Sequence, residues 1–251
     1  MSGPDTGVDF SLVVACYNEG PTFEASVDQT LRVLDALNWR SEVIFIDDAS
    51  RDGTPAAIDR IAAAHPDRRF TVVKHAANVG RGGTVTEGMQ LARGRYAGFI
   101  DIDLEVGAHF LLPCLLALEQ GADVVTAHRV YRFQWRSLDR YVLSRGYVWL
   151  RRRLVATPVE DTETGFKLFR RDPILPVLAL CEDRGWFWDT EVMVRASHAG
   201  LRLREVPVLF LRRFDKQSTV RPVHDTIEYL GKLWRFRAAA RRLGASRERR
   251  S

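Results

Sequence analysis

The stretch Tyr96-Ala97-Gly98-Phe99-Ile100-Asp101-Ile102-Asp103-Leu104-Glu105 decides how the rest of the chain can be organised. Its first half is apolar and contains aromatic and β-branched residues, which predicts a buried strand. Its second half carries a carboxylate at every other position, and alternate residues of an extended chain share one face. We therefore expect Asp101, Asp103 and Glu105 to converge, and carboxylate oxygens are ligands that suit Mg²⁺ or Mn²⁺. A plain acidic loop at a strand end is the alternative.

The composition of the 251 residues favours one large α/β domain. Hydrophobic residues make up 46% of the chain, which is enough to bury a sizeable core. The three cysteines stand at no metal-ligand spacing and favour a reducing compartment. Residues 1–9 are polar, so no signal peptide is expected, and the apolar run 106–118 is too short to cross a bilayer. These features predict a soluble or peripheral protein without a transmembrane helix.

The net charge of +5 is unevenly distributed. Residues 129–153 contain eight arginines and one acid, and residues 232–251 contain eight basic residues and one acid. Such blocks indicate an anionic partner: phosphate, nucleic acid or a membrane surface. In residues 134–155 aromatic and apolar side chains alternate with the arginines, which is typical of a basic amphipathic helix on a membrane or around an anionic ligand. A helix packed on the core with its arginines directed outward is equally compatible with this pattern.

Strands and helices alternate along the first half of the chain. Apolar runs at 10–16, 42–46 and 70–74 are each followed by a helix-forming stretch, and the strand that ends near Asp101 is the fourth. Near-continuous apolar strands in this order predict a mostly parallel sheet with helices on both faces. A later run, 203–211, contains Pro207 and is expected to be an edge strand.

Functional loops of such sheets lie at the carboxyl ends of the strands. We expect Tyr17-Asn18-Glu19, Asp47-Asp48 and Asp101-x-Asp103 to meet there at one edge. The glycine-rich stretch Gly80-Arg81-Gly82-Gly83 precedes a helix and could offer backbone N–H groups to a phosphate. A flexible turn is the alternative. The side chain of Arg81 is the likelier hydrogen-bond donor to a phosphate.

A helix is predicted to begin at Trp186-Phe187-Trp188-Asp189-Thr190-Glu191, with two carboxylates in its first turn. Compensation of the helix dipole explains such acids at roughly 0.3–1 kcal/mol each. The other interpretation is that Asp189 or Glu191 serves as a general base. A final helix is expected at about 224–243, where Tyr229, Trp234 and Phe236 accompany the second basic block.

Five motifs occur in order between residues 10 and 235. They are Tyr17-Asn18-Glu19, Asp47-Asp48-x-Ser50-x-Asp52-Gly53-Thr54, Asn78-x-Gly80-Arg81-Gly82, Asp101-x-Asp103 and Asp161-Thr162-x-x-Gly165-Phe166-Lys167-Leu168-Phe169. On these motifs the chain resembles the family 2 glycosyltransferases of the GT-A fold, and more narrowly the dolichyl-phosphate mannose synthase and dolichyl-phosphate glucosyltransferase group. The resemblance implies one GT-A domain over residues 1–251, with a nucleotide-sugar-binding half at about 10–127 and an acceptor half with basic amphipathic helices at about 128–251.

The resemblance also implies roles for individual residues. Those that would bind the nucleotide sugar are Tyr17, Glu19, Asp47, Asp48, Arg81 and Asp101, and those that would bind metal are Asp101, Asp103 and Glu105. Those that would bind the acceptor are Arg129, Arg140, Ser144, Asp161, Arg213 and Ser218. Catalysis falls to Asp101, Asp103, Arg129 and Arg213. Ala49 and Lys216 stand where glycines are common in the family.

The implied activity is inverting transfer of a hexose from a UDP-glucose or GDP-mannose type of donor to a polyprenyl or dolichyl phosphate. The cofactor would be Mg²⁺ or Mn²⁺, and the protein would lie in the cytoplasm, peripheral to the inner face of an anionic membrane. One alternative is a soluble family 2 glycosyltransferase that acts on a hydroxyl acceptor with Asp189 or Glu191 as base. A non-enzymatic anion-binding protein is less favoured, and nucleic acid is not expected as a partner, because converging carboxylates would repel phosphate without a metal.

Overall fold

The computed structural model describes residues 7–130, 155, 158–211 and 229–238. The strands are β1 Phe10–Cys16, β2 Ser41–Asp47, β3 Arg69–Lys74, β4 Tyr96–Ile100, β5 Val124–Val130, β6 Phe166–Arg170 and β7 Leu203–Leu209. The α-helices are α1 Phe23–Ala36, α2 Thr54–Ala64, α3 Arg81–Leu91, α4 Leu111–Glu119, α5 Arg171–Leu178 and α6 Trp188–His198, with a 3₁₀ turn at Ala108–Phe110. Residues 229–238 are also helical, and we call them the C-terminal helical segment.

The seven strands form one sheet in the order β3-β2-β1-β4-β6-β5-β7. Strand β1 pairs in parallel with β2 and β4, β2 pairs in parallel with β3, and β5 pairs in parallel with β7. Only β6 runs antiparallel, to both β4 and β5, within this described sheet. The prediction of a mostly parallel α/β sheet is therefore confirmed. Pro207 lies in β7 at the sheet edge, as its missing N–H group requires.

Local sequence explains why the helices form where they do. The buried side chains of α1 include Phe23, Val27, Leu31 and Leu34, a spacing of three or four that gives one apolar face. Helix α2 has Pro55 within its first two positions, where the missing N–H group costs nothing. The expected strand–helix alternation of the first half is confirmed by this order of elements.

The central strands β1, β2 and β4 bury both faces of the sheet. In β1, Leu12 and Val14 pack into one hydrophobic cluster, whereas Val13 packs into a second cluster on the other face. This double burial is the reason for the near-continuous apolar character of the strands. Because β1, β2 and β4 are parallel, their carboxyl ends meet at one edge of the sheet.

The C-terminal helical segment packs on α6 through a third cluster, in which Phe187 contacts Phe236 at a ring-centroid distance of 5.6 Å. Tyr229 also lies against Phe187, so two of the three aromatic residues expected beside the basic block face the protein core. Trp234 is 62% exposed. Among the described helices, none combines the length and apolar character needed to span a membrane.

Several predictions concern residues outside the described ranges. These are the basic amphipathic helix of residues 134–155 apart from Val155, the acceptor residues Arg140, Ser144, Arg213 and Ser218, the substitution at Lys216, and the ends of the expected final helix. They remain predictions.

Candidate functional site

A cleft of about 700 Å³ opens at the carboxyl ends of β1, β2 and β4. The residues that line it are Ala15, Cys16, Tyr17, Asn18, Glu19, Gly20, Pro21, Thr22, Asp48, Asn78, Gly80, Arg81, Thr84, Asp101, Ile102, Asp103, Gly185 and Trp186. The three loops expected at this edge therefore do meet around one space. Its volume lies within the range of about 300–1,000 Å³ that is usual for ligand pockets.

Asp47 is not part of the lining. It is the last residue of β2 and is buried, and its Oδ1 atom has no hydrogen-bond partner among the described residues. Asp48, the residue that follows the strand, does line the cleft. The structure thus separates the two carboxylates of the Asp47-Asp48 motif.

The loop after β1 is held by the loop after β2. The backbone N–H of Asn18 donates to Ser50 Oγ at 2.9 Å, and that of Glu19 donates to Thr54 Oγ1 at 2.9 Å. Asn18 adopts a φ of 53°, a conformation that asparagine tolerates better than most residues. The Tyr17 side chain, 45% exposed, is left at the mouth of the cleft.

Asp48 organises the next loop. Its Oδ1 accepts the N–H of Val79 at 2.8 Å, its Oδ2 accepts the N–H of Gly80 at 3.0 Å, and Oδ1 lies 2.8 Å from Nδ1 of His75. His75 Nε2 lies 2.8 Å from Glu87 Oε2. Burial acts to lower the pKa of His75, but the hydrogen bonds to the two carboxylates outweigh it and raise this pKa above 6.5.

The glycine-rich turn is a packing element. The N–H groups of Gly82 and Gly83 donate to the carbonyl of Arg184 at 2.7 and 3.2 Å. A Cβ atom at Gly80 would lie 2.5 Å from that carbonyl oxygen, and one at Gly82 would lie 2.5 Å from Trp188 Cβ. Since the amides of residues 79 and 80 are bonded to Asp48, these backbone donors are already used within the protein rather than presented to a phosphate.

Arg81 lies at the floor of the cleft between two carboxylates. Its Nη1 is 2.6 Å from Asp101 Oδ1 and its Nε is 3.2 Å from Asp189 Oδ2. The fully buried Lys167 donates to Asp189 Oδ1 at 2.6 Å and to the carbonyl of Thr164. Burial acts to lower the pKa of Arg81, but the two carboxylates raise this pKa above its usual value.

Burial is the largest influence on the pKa values of the neighbouring groups. It raises the pKa of Asp101. The positive charge of Arg81 acts to lower this pKa, and the negative charges of Asp103 and Asp189 raise it further. It lowers the pKa of Lys167, against the attraction of Asp189. Desolvation of a charged group and repulsion between like charges cause these directions.

The expected convergence of Asp101, Asp103 and Glu105 along an extended strand is wrong. Strand β4 ends at Ile100, the N–H of Leu104 bonds back to the carbonyl of Asp101 at 3.1 Å, and Leu104 has a φ of 56°. This turn directs Asp101 and Asp103 into the cleft and leaves Glu105 off its lining.

Across the described part of the chain, no group of three or more His, Cys, Asp or Glu side chains is arranged to hold a metal ion. Asp101 and Asp103 nevertheless form a pair of hard oxygen donors on one cleft wall. Such a pair fits Mg²⁺ or Mn²⁺ only if a ligand such as a diphosphate supplies further oxygens, because these ions keep a high coordination number.

The two candidate bases in α6 are both engaged. Asp189 is paired with two cations and is 2% exposed. Glu191 accepts the N–H groups of Glu182 and Asp183 at 2.8–3.1 Å and the guanidinium of Arg195 at 2.7 Å. Both carboxylates therefore serve to hold the loop before α6 and the buried charges around it.

Arg129 extends beyond the cleft at the end of β5 and makes a bidentate pair with Asp161. Its Nε lies 2.7 Å from Oδ2 and its Nη2 lies 2.9 Å from Oδ1. Burial alone would raise the pKa of Asp161, but Arg129 holds this pKa below its usual value. Of the six residues expected to bind the acceptor, these are the two that fall within the described ranges, and the structure brings them together.

Sequence reasoning missed the parts played by Lys167, Trp186 and His75. Lys167 sits in the otherwise apolar run Phe166-Lys167-Leu168-Phe169, and a lone cation in a buried strand was a usable sign of a buried partner. Trp186 is 57% exposed, lines the cleft and lies with its ring centroid 5.1 Å from the Arg81 guanidinium. The sequence predicted that Trp186 begins a helix, whereas α6 begins at Trp188 and Trp186 lies in the turn before it.

Comparison with known proteins agrees with this architecture. The model of the family described as "Glycosyl transferase family 2" matches residues 11–175. The chain is 35% identical over 207 residues to Glycosyltransferase AglD of Haloferax volcanii, an alignment that covers 80% of this chain and 33% of AglD. It is 26% identical over 222 residues to the dolichyl-phosphate beta-glucosyltransferase of Dictyostelium discoideum, covering 82% and 67%. The chain thus spans about a third of the first relative and about two thirds of the second.

Two solved structures have the same fold. Glucosyl-3-phosphoglycerate synthase from Mycobacterium tuberculosis, in complex with Mn²⁺, UDP and glucosyl-3-phosphoglycerate, superposes with a TM-score of 0.62 at 17% identity, over 93% of this chain and 78% of that one. Mannosyltransferase PcManGT from Pyrobaculum calidifontis, in complex with GDP-Man and Mn²⁺, gives a TM-score of 0.57 at 19% identity, over 97% and 76%. The fold is that of the GT-A glycosyltransferases, and with the family match at residues 11–175 the protein belongs to glycosyl transferase family 2.

Proposed function

We propose that this protein transfers a hexose, with inversion, from a nucleotide sugar of the UDP-glucose or GDP-mannose type to a polyprenyl or dolichyl phosphate at a membrane surface. The family assignment supports glycosyl transfer. The name of the Dictyostelium relative supports the class of acceptor, and the nucleotides and Mn²⁺ in the two structural neighbours support the class of donor and cofactor.

The cleft supports a nucleotide sugar as the donor. Tyr17 stands at its mouth, where an exposed aromatic ring can stack on a base, and Asp101 with Asp103 lines the wall. In this proposal Glu19 and Asp48 lie beside the nucleoside. Since Asp48 already accepts two backbone N–H groups, its contribution to binding is mainly to hold residues 79 and 80 against the cleft.

Asp101 and Asp103 would hold the Mg²⁺ or Mn²⁺ together with the donor diphosphate. Such an ion neutralises the diphosphate and makes the nucleoside diphosphate a better leaving group. Arg81, which contacts Asp101 from the floor of the cleft, adds a second, permanent positive charge, because a guanidinium does not lose its proton in proteins. The protein's own contribution is then positioning and charge stabilisation.

The engagement of both candidate bases is the observation that carries the choice of acceptor. A hydroxyl acceptor needs a general base, whereas a phosphate monoester is already ionised and needs none. Asp189 is locked between Lys167 and Arg81, and Glu191 is locked among two amides and Arg195. Those pairings support a phosphate acceptor over the hydroxyl acceptor of a soluble family 2 glycosyltransferase.

The phosphate of the acceptor would be bound by arginines, whose forked guanidinium matches phosphate oxygens. Arg129 is the one for which the described residues give a geometry. Asp161 fixes its guanidinium through the two hydrogen bonds given above, which orients it without removing its charge. Arg140, Ser144, Arg213 and Ser218 complete the proposed acceptor site.

Transfer of labelled hexose tests the proposal. We expect the full chain to glycosylate a polyprenyl phosphate from UDP-glucose or GDP-mannose with Mn²⁺ or Mg²⁺, and a chelator to stop the reaction. Asp103→Ala should abolish transfer while the melting temperature stays near that of the wild type, since a cleft carboxylate adds little to the core. Asp67→Ala, an exposed carboxylate before β3, is the matched control and should retain activity.

Equal transfer to a water-soluble hydroxyl acceptor would replace the lipid-phosphate assignment by that of a soluble glycosyltransferase. Full activity of Asp103→Ala, or full activity in the presence of chelator, would remove the metal assignment.

A further inference from the structure

Four charged side chains form a chain of alternating sign, and two of them, Arg81 and Asp101, line the cleft. Lys167 contacts Asp189 at 2.6 Å, Asp189 contacts Arg81 at 3.2 Å, and Arg81 contacts Asp101 at 2.6 Å. The first two side chains are 0% and 2% exposed, whereas Asp101 is 39% exposed and faces the cleft. A buried pair is thus linked through one arginine to a carboxylate that a ligand can reach.

Two aromatic rings also pack against the guanidinium of Arg81. Its guanidinium carbon lies 5.4 Å from the centroid of the Phe99 ring and 5.1 Å from that of Trp186. Its Nη2 atom is buried and has no hydrogen-bond partner among the described residues. Arg81 keeps its positive charge, so that charge is balanced by the two carboxylates that it contacts, Asp101 and Asp189.

We propose that Lys167 and Asp189 are positioning residues that act through Arg81 and set how strongly Asp101 attracts a cation in the cleft. The inference rests on the proposed function, in which Asp101 shares a metal ion with the donor diphosphate. Asp189 draws Arg81 away from Asp101, and Lys167 limits how far Asp189 can do so. Asp189 is therefore assigned a role in charge distribution instead of proton abstraction.

This arrangement gives the two residues opposite effects. Loss of the Asp189 charge leaves Arg81 with Asp101 as its remaining carboxylate partner, so Asp101 should attract a metal cation less. Lys167 would then keep the attraction of Asp161. Loss of the Lys167 charge leaves Asp189 free to hold Arg81 alone, so Asp101 should attract a cation more. A pair that served only to stabilise the fold would weaken binding in both cases.

The test measures the affinity of Mn²⁺ in the presence of saturating UDP or GDP, by electron paramagnetic resonance of free Mn²⁺ or by calorimetry. We expect Asp189→Asn to weaken binding and Lys167→Met to strengthen it, each on the order of tenfold, as charges several ångströms apart in a partly buried site would produce. The double variant Lys167→Met/Asp189→Asn restores the charge balance and should bind about as the wild type does.

Glu119→Gln and Arg95→Met are the matched controls. They make the same changes of charge in an exposed pair, 3.3 Å apart, beside the amino end of β4, and should leave Mn²⁺ affinity unchanged. If Asp189→Asn fails to fold, the step from Lys167→Met to the double variant removes the same charge and must weaken binding about tenfold.

The outcomes separate the two proposals. A wild-type protein that binds no Mn²⁺ with either nucleotide contradicts the proposed metal-dependent function and, with it, the inference. A wild-type protein that binds Mn²⁺ while both single variants weaken binding, or neither changes it, overturns the positioning roles alone.

Discussion

Gly165 lies so close to Asp101 that a Cβ atom at residue 165 would be 1.7 Å from Asp101 Oδ2. The same two residues are joined along the backbone, where the N–H of Asp101 donates to the carbonyl of Gly165 at 2.7 Å. Gly165 does not need a positive φ, so the requirement for glycine here is one of space. The absence of a side chain at residue 165 leaves room for the carboxylate at the cleft wall.

Gly165→Ala is therefore expected to displace the Asp101 side chain and to abolish Mn²⁺-dependent nucleotide binding and hexose transfer. The fold should persist, because the clash falls on a partly exposed side chain. Calorimetric titration with UDP or GDP and Mn²⁺, together with thermal unfolding, measures both effects. Gly231→Ala, where an added Cβ meets no atom within 4 Å, is the control and should bind normally. Normal nucleotide affinity in Gly165→Ala would show that Asp101 is not needed in its present position.

Ala49 follows Asp48 and has a φ of 62°, in the left-handed region that glycine adopts freely. An alanine in this region carries backbone strain, because its Cβ atom lies too close to the following carbonyl oxygen. We expect Ala49→Gly to raise the free energy of unfolding by about 1 kcal/mol. Ala63→Gly, at an exposed position of α2, should instead lower it by roughly 0.5–1 kcal/mol. Urea unfolding distinguishes the two signs, and a loss of stability in Ala49→Gly would contradict the strain.

The parts of the fold that could be predicted follow from short-range pattern. Apolar runs and helical spacings fixed the order of elements in the first half, and Pro207 marked the edge strand β7. The antiparallel position of β6 between β4 and β5 could not be predicted from the sequence, because it depends on pairing between residues that lie far apart in the chain, such as Phe99 and Lys167. The pattern of apolar and polar residues does not indicate which distant residues pair.

The site was predicted unevenly for the same reason. Parallel strands bring their carboxyl ends together, so Tyr17, Asp48 and Asp101 could be placed around one cleft from sequence alone. The turn at Leu104 could not be predicted, because a positive φ is uncommon at leucine and the residue type does not indicate it. That one turn moves Glu105 off the cleft lining.

The link from His75 to Asp48 predicts a pH dependence of stability. The pKa of His75 is raised above 6.5 in the folded protein, despite burial, by hydrogen bonds to Asp48 and Glu87. A raised folded-state pKa means that the protonated ring stabilises the fold. This stabilisation is fully present below about pH 6.5, the unfolded value, and is lost as pH rises through the folded value.

We therefore expect the free energy of unfolding of the wild type, compared with that of His75→Gln, to fall as the pH rises from about 6.5 through the folded-state pKa of His75. Glutamine keeps a hydrogen-bonding side chain but cannot gain the charge. Urea unfolding at a series of pH values compares the two proteins. His65→Gln, on a partly exposed side chain after α2, is the control for the loss of a histidine elsewhere in the fold. Parallel curves for His75→Gln and the wild type would mean that the ring does not titrate in this window.

The last prediction concerns attachment to a membrane through the C-terminal helical segment. Leu233 and Phe236 are buried against α6, so a truncation after Gly231 would remove part of a hydrophobic cluster and destabilise the protein. Point substitutions on the outer side avoid this difficulty. Trp234 is 62% exposed, with the Arg237 guanidinium 4.8 Å from its ring centroid.

The full chain should co-sediment with vesicles that contain anionic lipid and should not bind neutral vesicles. High salt should release it from the anionic vesicles. The reason is that each basic residue near an anionic surface contributes about 1 kcal/mol of binding free energy, and this attraction acts only within a Debye length. Replacing both Arg235 and Arg237 by Ala should then weaken binding by roughly thirtyfold. Arg32→Ala with Arg60→Ala removes the same charge from exposed ion pairs on α1 and α2 and should have little effect. If both double variants lose binding equally, the attraction reflects net charge alone; if neither does, this segment is not the attachment surface.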